Sequence, residues 1–90
     1  MRREEAFRGI SKRLAVHYLE NLGGELVAGE REDNAEAEVA GEDWTATLSV
    51  EKVSVAGSMK LTEVSVVFEG EDDLDELVEQ FTQKAMRAGG

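Results

Sequence analysis

The stretch "AEAEVAGEDWTATLSVEKVSVAGSMKLTEVSVVF", residues 35–68, decides the fold. Apolar and polar residues alternate through most of it, with the two-residue period that sends successive side chains to opposite faces of a strand. In 35–39, Ala35, Ala37 and Val39 share one face and glutamates the other. In 44–50, Trp44, Ala46, Leu48 and Val50 point inward against Thr45, Thr47 and Ser49. In 59–68, the longest strand, Val64, Val66 and Phe68 share a face. Gly41–Asp43 and Gly57-Ser58 supply turns short enough to make these strands antiparallel neighbours. Val53 and Val55 are odd-numbered and out of step, so a bulge or bend at Glu51-Lys52 is predicted to re-aim the chain.

Working outward, "ELVAG" (25–29) reads as a further short strand and "EREDN" (30–34) as a polar turn. The segment "SKRLAVHYLENL" (11–22) is a helix: Leu14, Tyr18 and Leu22 recur every four residues, with Ala15 and Leu19 beside them. Ser11 stands at the N-cap, and Gly23-Gly24 supplies the left-handed stop. "EDDLDELVEQFTQKAMRAGG" (71–90) is a second helix, capped by Asp72 or Asp73. Leu74, Leu77, Val78, Phe81 and Ala85 form its apolar face, and Lys84 and Arg87 suit the negative end of its dipole. Ahead of the first helix, "REEAFRGI" (3–10) is a first strand or an irregular arm. Two amphipathic helices bracketing one meander bury their stripes on one face of the sheet. The expected class is a two-layer α+β domain, an antiparallel sheet with both helices on one side.

Ninety residues make one domain, 1–90. A chain this short buries roughly two-thirds of its unfolded surface and needs most of its apolar residues for one core. With no proline and no Ser/Gly-rich stretch, no linker is expected. Twenty acids against ten bases leave a net charge of −10. Such a surface repels phosphate backbones and anionic lipid, so neither nucleic acid nor membrane is an expected partner. The acids are spread along the chain rather than blocked into a tail, which favours adaptation to high salt over a surface made for one basic partner. The absence of cysteine excludes disulfides, thiolate nucleophiles and thiolate metal sites. No apolar run approaches the ~20 residues of a membrane span, and "MRREEAFRGI" lacks the apolar core of a secretion signal. The expectation is a soluble, cytoplasmic protein. Exposed sheet edges make a homodimer an option.

Little in the chain carries chemistry. His17, the only histidine, has Glu20 and Asn21 at i+3 and i+4 and falls on the polar side of its helix. "EREDNAEAE" (30–38) lacks the glycine of a calcium loop, and helix capping explains "EDDLDE" (71–76), so no metal site is expected. No phosphate loop is present, and no cofactor is called for. Phe7, Tyr18, Trp44 and Phe68 are candidate lining for a groove between sheet and helices, although five aromatics in so small a domain are needed for its core. The chain ends on Gly89-Gly90. A terminal Gly-Gly is the reactive tail of ubiquitin-like sulfur carriers, where the end is activated and converted to a thiocarboxylate. It is equally an ordinary helix end.

The stretches "FRGISKRLAVHYLENLGG" (7–24), "GSMKLTEVSVVFEGE" (57–71) and "KAMRAGG" (84–90) resemble the carboxy-terminal domain of MoaD-related proteins. The most telling pieces are Tyr18-Leu19-Glu20 with Gly23-Gly24, then Gly57-Ser58, Glu69-Gly70-Glu71, and Arg87 with Gly89-Gly90. MoaD is the small sulfur-carrier subunit of molybdopterin synthase, and composite members carry this domain behind a ubiquitin-like carrier domain. The resemblance implies a TATA-box-binding-protein-like fold of order β-α-β4-α, here as a stand-alone, archaeal-type acidic chain. It also implies a non-enzymatic accessory or interaction module whose protein partner is a sulfur-carrier or activating-enzyme component. The carrier's reactive tail belongs to the other domain, so its role does not transfer to Gly89-Gly90.

Overall fold

The computed structural model describes residues 1–31 and 35–89. Its elements are β1 (Arg2–Arg8), α1 (Lys12–Asn21), β2 (Glu25–Ala28), β3 (Ala37–Ala40), β4 (Trp44–Ala56), β5 (Met59–Gly70) and α2 (Asp75–Gly89). This is the expected β-α-β4-α order. The strands form one sheet in the order β1-β5-β4-β3-β2, every neighbouring pair antiparallel. β1 and β2 therefore lie at opposite rims, and α1 crosses the sheet between them. The stretch left open as strand or arm is a strand. All seven of its residues pair with β5, from Arg2 opposite Glu69 to Arg8 opposite Glu63.

Alternation places the core where the sequence put it. Ala37, Val39, Ala46, Leu48, Val64, Val66 and Phe68 are buried on the helix-covered face, with Trp44 and Val50 half-buried beside them. Leu74, Val78, Phe81 and Ala85 meet them from α2. On α1 the buried stripe is rotated from the expected one. Ala15, Val16 and Leu19 are fully buried, whereas Leu14, Tyr18 and Leu22 are only partly so. Lys12 lies on this rotated stripe. It is 3 % exposed, and its ammonium donates to the carbonyl of Ala35 at 2.6 Å. A lysine can lie along a core when its stem packs and its charged end finds acceptors.

The helix ends follow the sequence signals. Ser11 Oγ accepts from the Leu14 amide at 3.1 Å. Gly23, at φ +99°, turns the chain out of α1, and the Gly24 amide donates back to the Leu19 carbonyl at 2.9 Å. At α2 the capping acid is Asp73, whose Oδ1 accepts from the Asp75 amide at 2.9 Å. Arg3 ties β1 to this helix end through Asp75 at 2.5 Å.

Several boundaries differ from expectation. β3 begins at Ala37 rather than Ala35 and continues to Ala40, and β5 runs two residues further, to Gly70. No bulge occurs at Glu51-Lys52. β4 pairs with β5 without a break from Trp44 to Ser54, and the register shifts only between Ser54 and Ala56, next to the turn. The continuous ladder keeps the strand on course through the change of apolar parity, so Val53 and its opposite Leu61 stay on the outer face. Neither helix reaches over this part of the hairpin, so no core is there to draw them inward.

Candidate functional site

Three of the four aromatics considered as groove lining converge on a fifth. Phe81 packs edge-on against Phe7 (centroids 5.1 Å apart), Phe68 (5.6 Å) and Tyr18 (6.3 Å). The space between helices and sheet is filled there by the Phe81 ring, which is itself fully buried. Trp44 stands apart from them, cradled by glycines. A Cβ on Gly41 would lie 2.1 Å from the indole, and one on Gly24 2.7 Å from its far edge. Gly41→Ala is thus expected to expel the ring, with the roughly 1–3 kcal/mol cost of overpacking. Trp44 is the sole tryptophan, so a red-shifted fluorescence emission and a lower urea midpoint report the change. Unaltered emission would show that the cradle is not tight.

The exposed side of Trp44 opens on a cleft of about 440 Å³ whose walls carry Glu42, Asp43, Glu69, Glu71 and Asp72. Among the described residues no group of three or more metal-ligating side chains is placed to hold an ion. His17 is exposed on α1 and shares a shallow depression with Ser11, Arg13, Leu14 and Arg31. Arg31 is engaged there in a two-pronged ion pair with Glu20. The hydrogen bonds from Arg31 hold the Glu20 carboxyl below its ordinary range, and the carboxylate raises Arg31 in turn. Together with Lys12, this pair pins both ends of the β2–β3 connection onto α1. Gly89 is the last residue of α2, while Gly90, with Glu32, Asp33 and Asn34 of the polar turn, lies outside the described residues.

Two surfaces remain open. One is the outer face of the sheet. Its centre is small and weakly polar: Ser49 lies opposite Ser65, Thr47 opposite Val67, and Ala6 beside Ser65. Around it stand Glu25, Glu38, Glu51 and Glu69, while the two arginines of this face, Arg2 and Arg8, are already paired with Glu4 and Glu63. The other is the end of the β4–β5 hairpin. β3 flanks β4 only as far as Leu48, and β1 flanks β5 only as far as Glu63. Beyond both, from Lys52 opposite Thr62, a two-stranded arm continues for about 16 Å at the usual rise per residue, along a molecule whose long axis is 42 Å.

The sequence model of the archaeal MoaD-like protein family matches residues 3–90. The chain belongs to this family. No curated protein matches it. In this archaeal MoaD-like chain the short motifs behind the resemblance sit at corners of the fold rather than around a reaction centre. Glu20 anchors Arg31, Gly23-Gly24 ends α1, and Gly57-Ser58 turns the arm. Gly70 has no room for a side chain, because a Cβ would come 2.7 Å from the Asp43 carbonyl oxygen. No helix among the described residues is long and apolar enough to cross a membrane.

Proposed function

We propose that this MoaD-like chain is a non-enzymatic contact module that docks a protein of a sulfur-carrier system on the outer face of its sheet. Family membership supports the sulfur-carrier association. The observation that carries the contact reading is the uncovered sheet face, with a flat centre of serine, threonine, alanine and valine inside a rim of glutamates, of which Glu25, Glu38, Glu51 and Glu69 make no ion pair among the described residues. Small side chains allow close approach, and the unpaired rim suits a partner presenting lysine or arginine around an apolar centre. The partner classes are the carrier itself, its activating enzyme or a synthase component.

Affinity capture at native salt, with the bound proteins identified by mass spectrometry, tests this. Wild type should recover one of those components. Thr47→Arg, which places a long cation at the centre of the face, should abolish capture while shifting stability by no more than about 1 kcal/mol, because Thr47 is half-buried but lies on the face away from the core. Recovery of none of these components, or capture indifferent to Thr47→Arg, would sink the proposal.

A further inference from the structure

Among the described residues the sheet exposes β1, β2, β4 beyond Leu48 and the four-residue stretch of β5 from Met59 to Thr62; the first two are defended and the last is short. β1 reads Arg-Arg-Glu-Glu along its rim, with these charges engaged in ion pairs. β2 is four residues long and breaks register between Leu26 and Ala28. Charge, shortness and irregularity are the usual means of stopping a strand edge from recruiting another chain. The third edge is β4 beyond Leu48. From Ser49 to Ala56, "SVEKVSVA", it has no neighbour on that side among the described residues. It carries three valines, no proline and only Glu51 and Lys52 as charges. An isolated two-stranded hairpin is marginal in water. Yet this arm also exposes Leu61 at 40 % and Met59 at 64 %.

Charge separates the arm from the rest of the molecule. Residues 52–62 carry Lys52 and Lys60 and no acid, in a chain whose net charge is −10. Both lysines lie on the helix-side face of the hairpin, and Val53 and Leu61 on the outer face. What fits is a protein surface that supplies a strand edge and an apolar strip. A second copy of this chain has both, and the absence of acids from 52–62 lets two arms of an otherwise acidic chain approach.

We propose that two copies join through the free β4 edges of their arms, antiparallel about a two-fold axis at Val53. In an antiparallel pair, directly opposed residues share a face, and like charges opposed there are unfavourable. An axis at Glu51 or Lys52 would set glutamate on glutamate or lysine on lysine. An axis at Ser54 would fall on the register break. The Val53 axis sets valine on valine, next to both copies of Leu61, and places Lys52 opposite Ser54. It brings each Gly57-Ser58 tip level with Ser49 of the second copy, where β3 begins. The outer faces of the two sheets become continuous, and Thr47 stays outside the junction.

Val53→Cys gives a direct test, since the chain has no cysteine of its own. An axis at Val53 brings the two Cα atoms within the ~4.4–6.8 Å that a disulfide spans. Mild oxidation in molar KCl should convert dilute Val53→Cys to a covalent dimer of twice the 9.9 kDa chain mass. Met86→Cys, at a more exposed position on α2, should remain monomeric. By sedimentation equilibrium, wild type should show a concentration-dependent dimer, and Val53→Glu should be monomeric with an unchanged melting temperature. A wild type that stays at 9.9 kDa up to millimolar concentration overturns the proposal. So does a dimer that survives Val53→Glu and leaves Val53→Cys uncrosslinked. Thr47→Arg should leave the dimer intact, so failure of partner capture and failure of self-association are read separately.

Discussion

Phe81→Ala is expected to remove about 3–5 kcal/mol of stability, the usual range for truncating a buried phenylalanine. The upper half of that range applies because of what meets at this ring. Phe7 comes from β1, Tyr18 from α1 and Phe68 from β5, all in edge-on contact with a side chain carried by α2. Truncation therefore leaves a cavity bounded by four elements, none of which can close it without moving against the other three. A 90-residue domain has only roughly 5–13 kcal/mol in total, so the variant should be close to unfolded at low salt. Phe81→Leu keeps most of the apolar volume and should lose much less. Met86→Ala, at a side chain 68 % exposed on the same helix, should change stability by under about 0.5 kcal/mol. Urea titrations of the three variants in molar KCl, followed by circular dichroism, give the comparison. A loss for Phe81→Ala no larger than for Phe81→Leu would mean that the cluster collapses around the gap and is not the joint of the fold.

The two helices and β3, β4 and β5 are legible because each shows its period within its own residues; β2 is legible only as a short apolar run, and β1 stays open between strand and arm. Alternation from Trp44 to Val50 and from Val64 to Phe68 needs no tertiary information, and neither do the Ser11 cap and the Gly23 stop. What escaped depends on residues far apart in sequence. Lysine at position 12 belongs in solvent by every local rule, and its bond to the Ala35 carbonyl, 23 residues away, helps to make its burial tolerable. The buried stripe of α1 runs through Lys12, Ala15, Val16 and Leu19. The parity change at Val53 looked like a bulge because a local reading assumes one core along the whole strand. The ladder with β5 instead carries the hairpin past the end of the core. The open surfaces were hidden for the same reason: a strand's exposure depends on how far its neighbours extend, and that is a property of pairing. Gly41 is legible as a turn residue, but its contact with Trp44 is not. Of the residues singled out for function, Phe7, Tyr18 and Phe68 lie in the packed core, and Trp44 borders an acidic cleft.

That cleft sharpens the expectation that the fold depends on salt. Glu42 and Asp43 come from the β3–β4 turn, and Glu69, Glu71 and Asp72 from the end of β5, so folding itself gathers five carboxylates that the extended chain keeps apart. The unfolded state avoids this repulsion, and the native state must bear it. The Debye length is about 30 Å at 0.01 M salt and about 3 Å at 1 M, against a domain measuring 42 × 24 × 20 Å. At the lower concentration the ten excess charges act on one another across most of the molecule. At the higher one only immediate neighbours interact. A few close carboxylate pairs in water sum to roughly 2 kcal/mol, and for a domain of this size each 1 kcal/mol moves the melting temperature by about 4–8 °C. The melting temperature should therefore rise by about 8–16 °C between 0.01 and 1 M KCl, steeply at first and then gently as excluded salt strengthens apolar burial. The clustering sets the weakest point at the cleft, where amides of 42–45 and 70–73 should exchange fastest with solvent deuterium at low salt and slow most on adding KCl. A melting temperature flat across this range would show that the acids do not strain the fold, and would leave a basic partner as the reason for them.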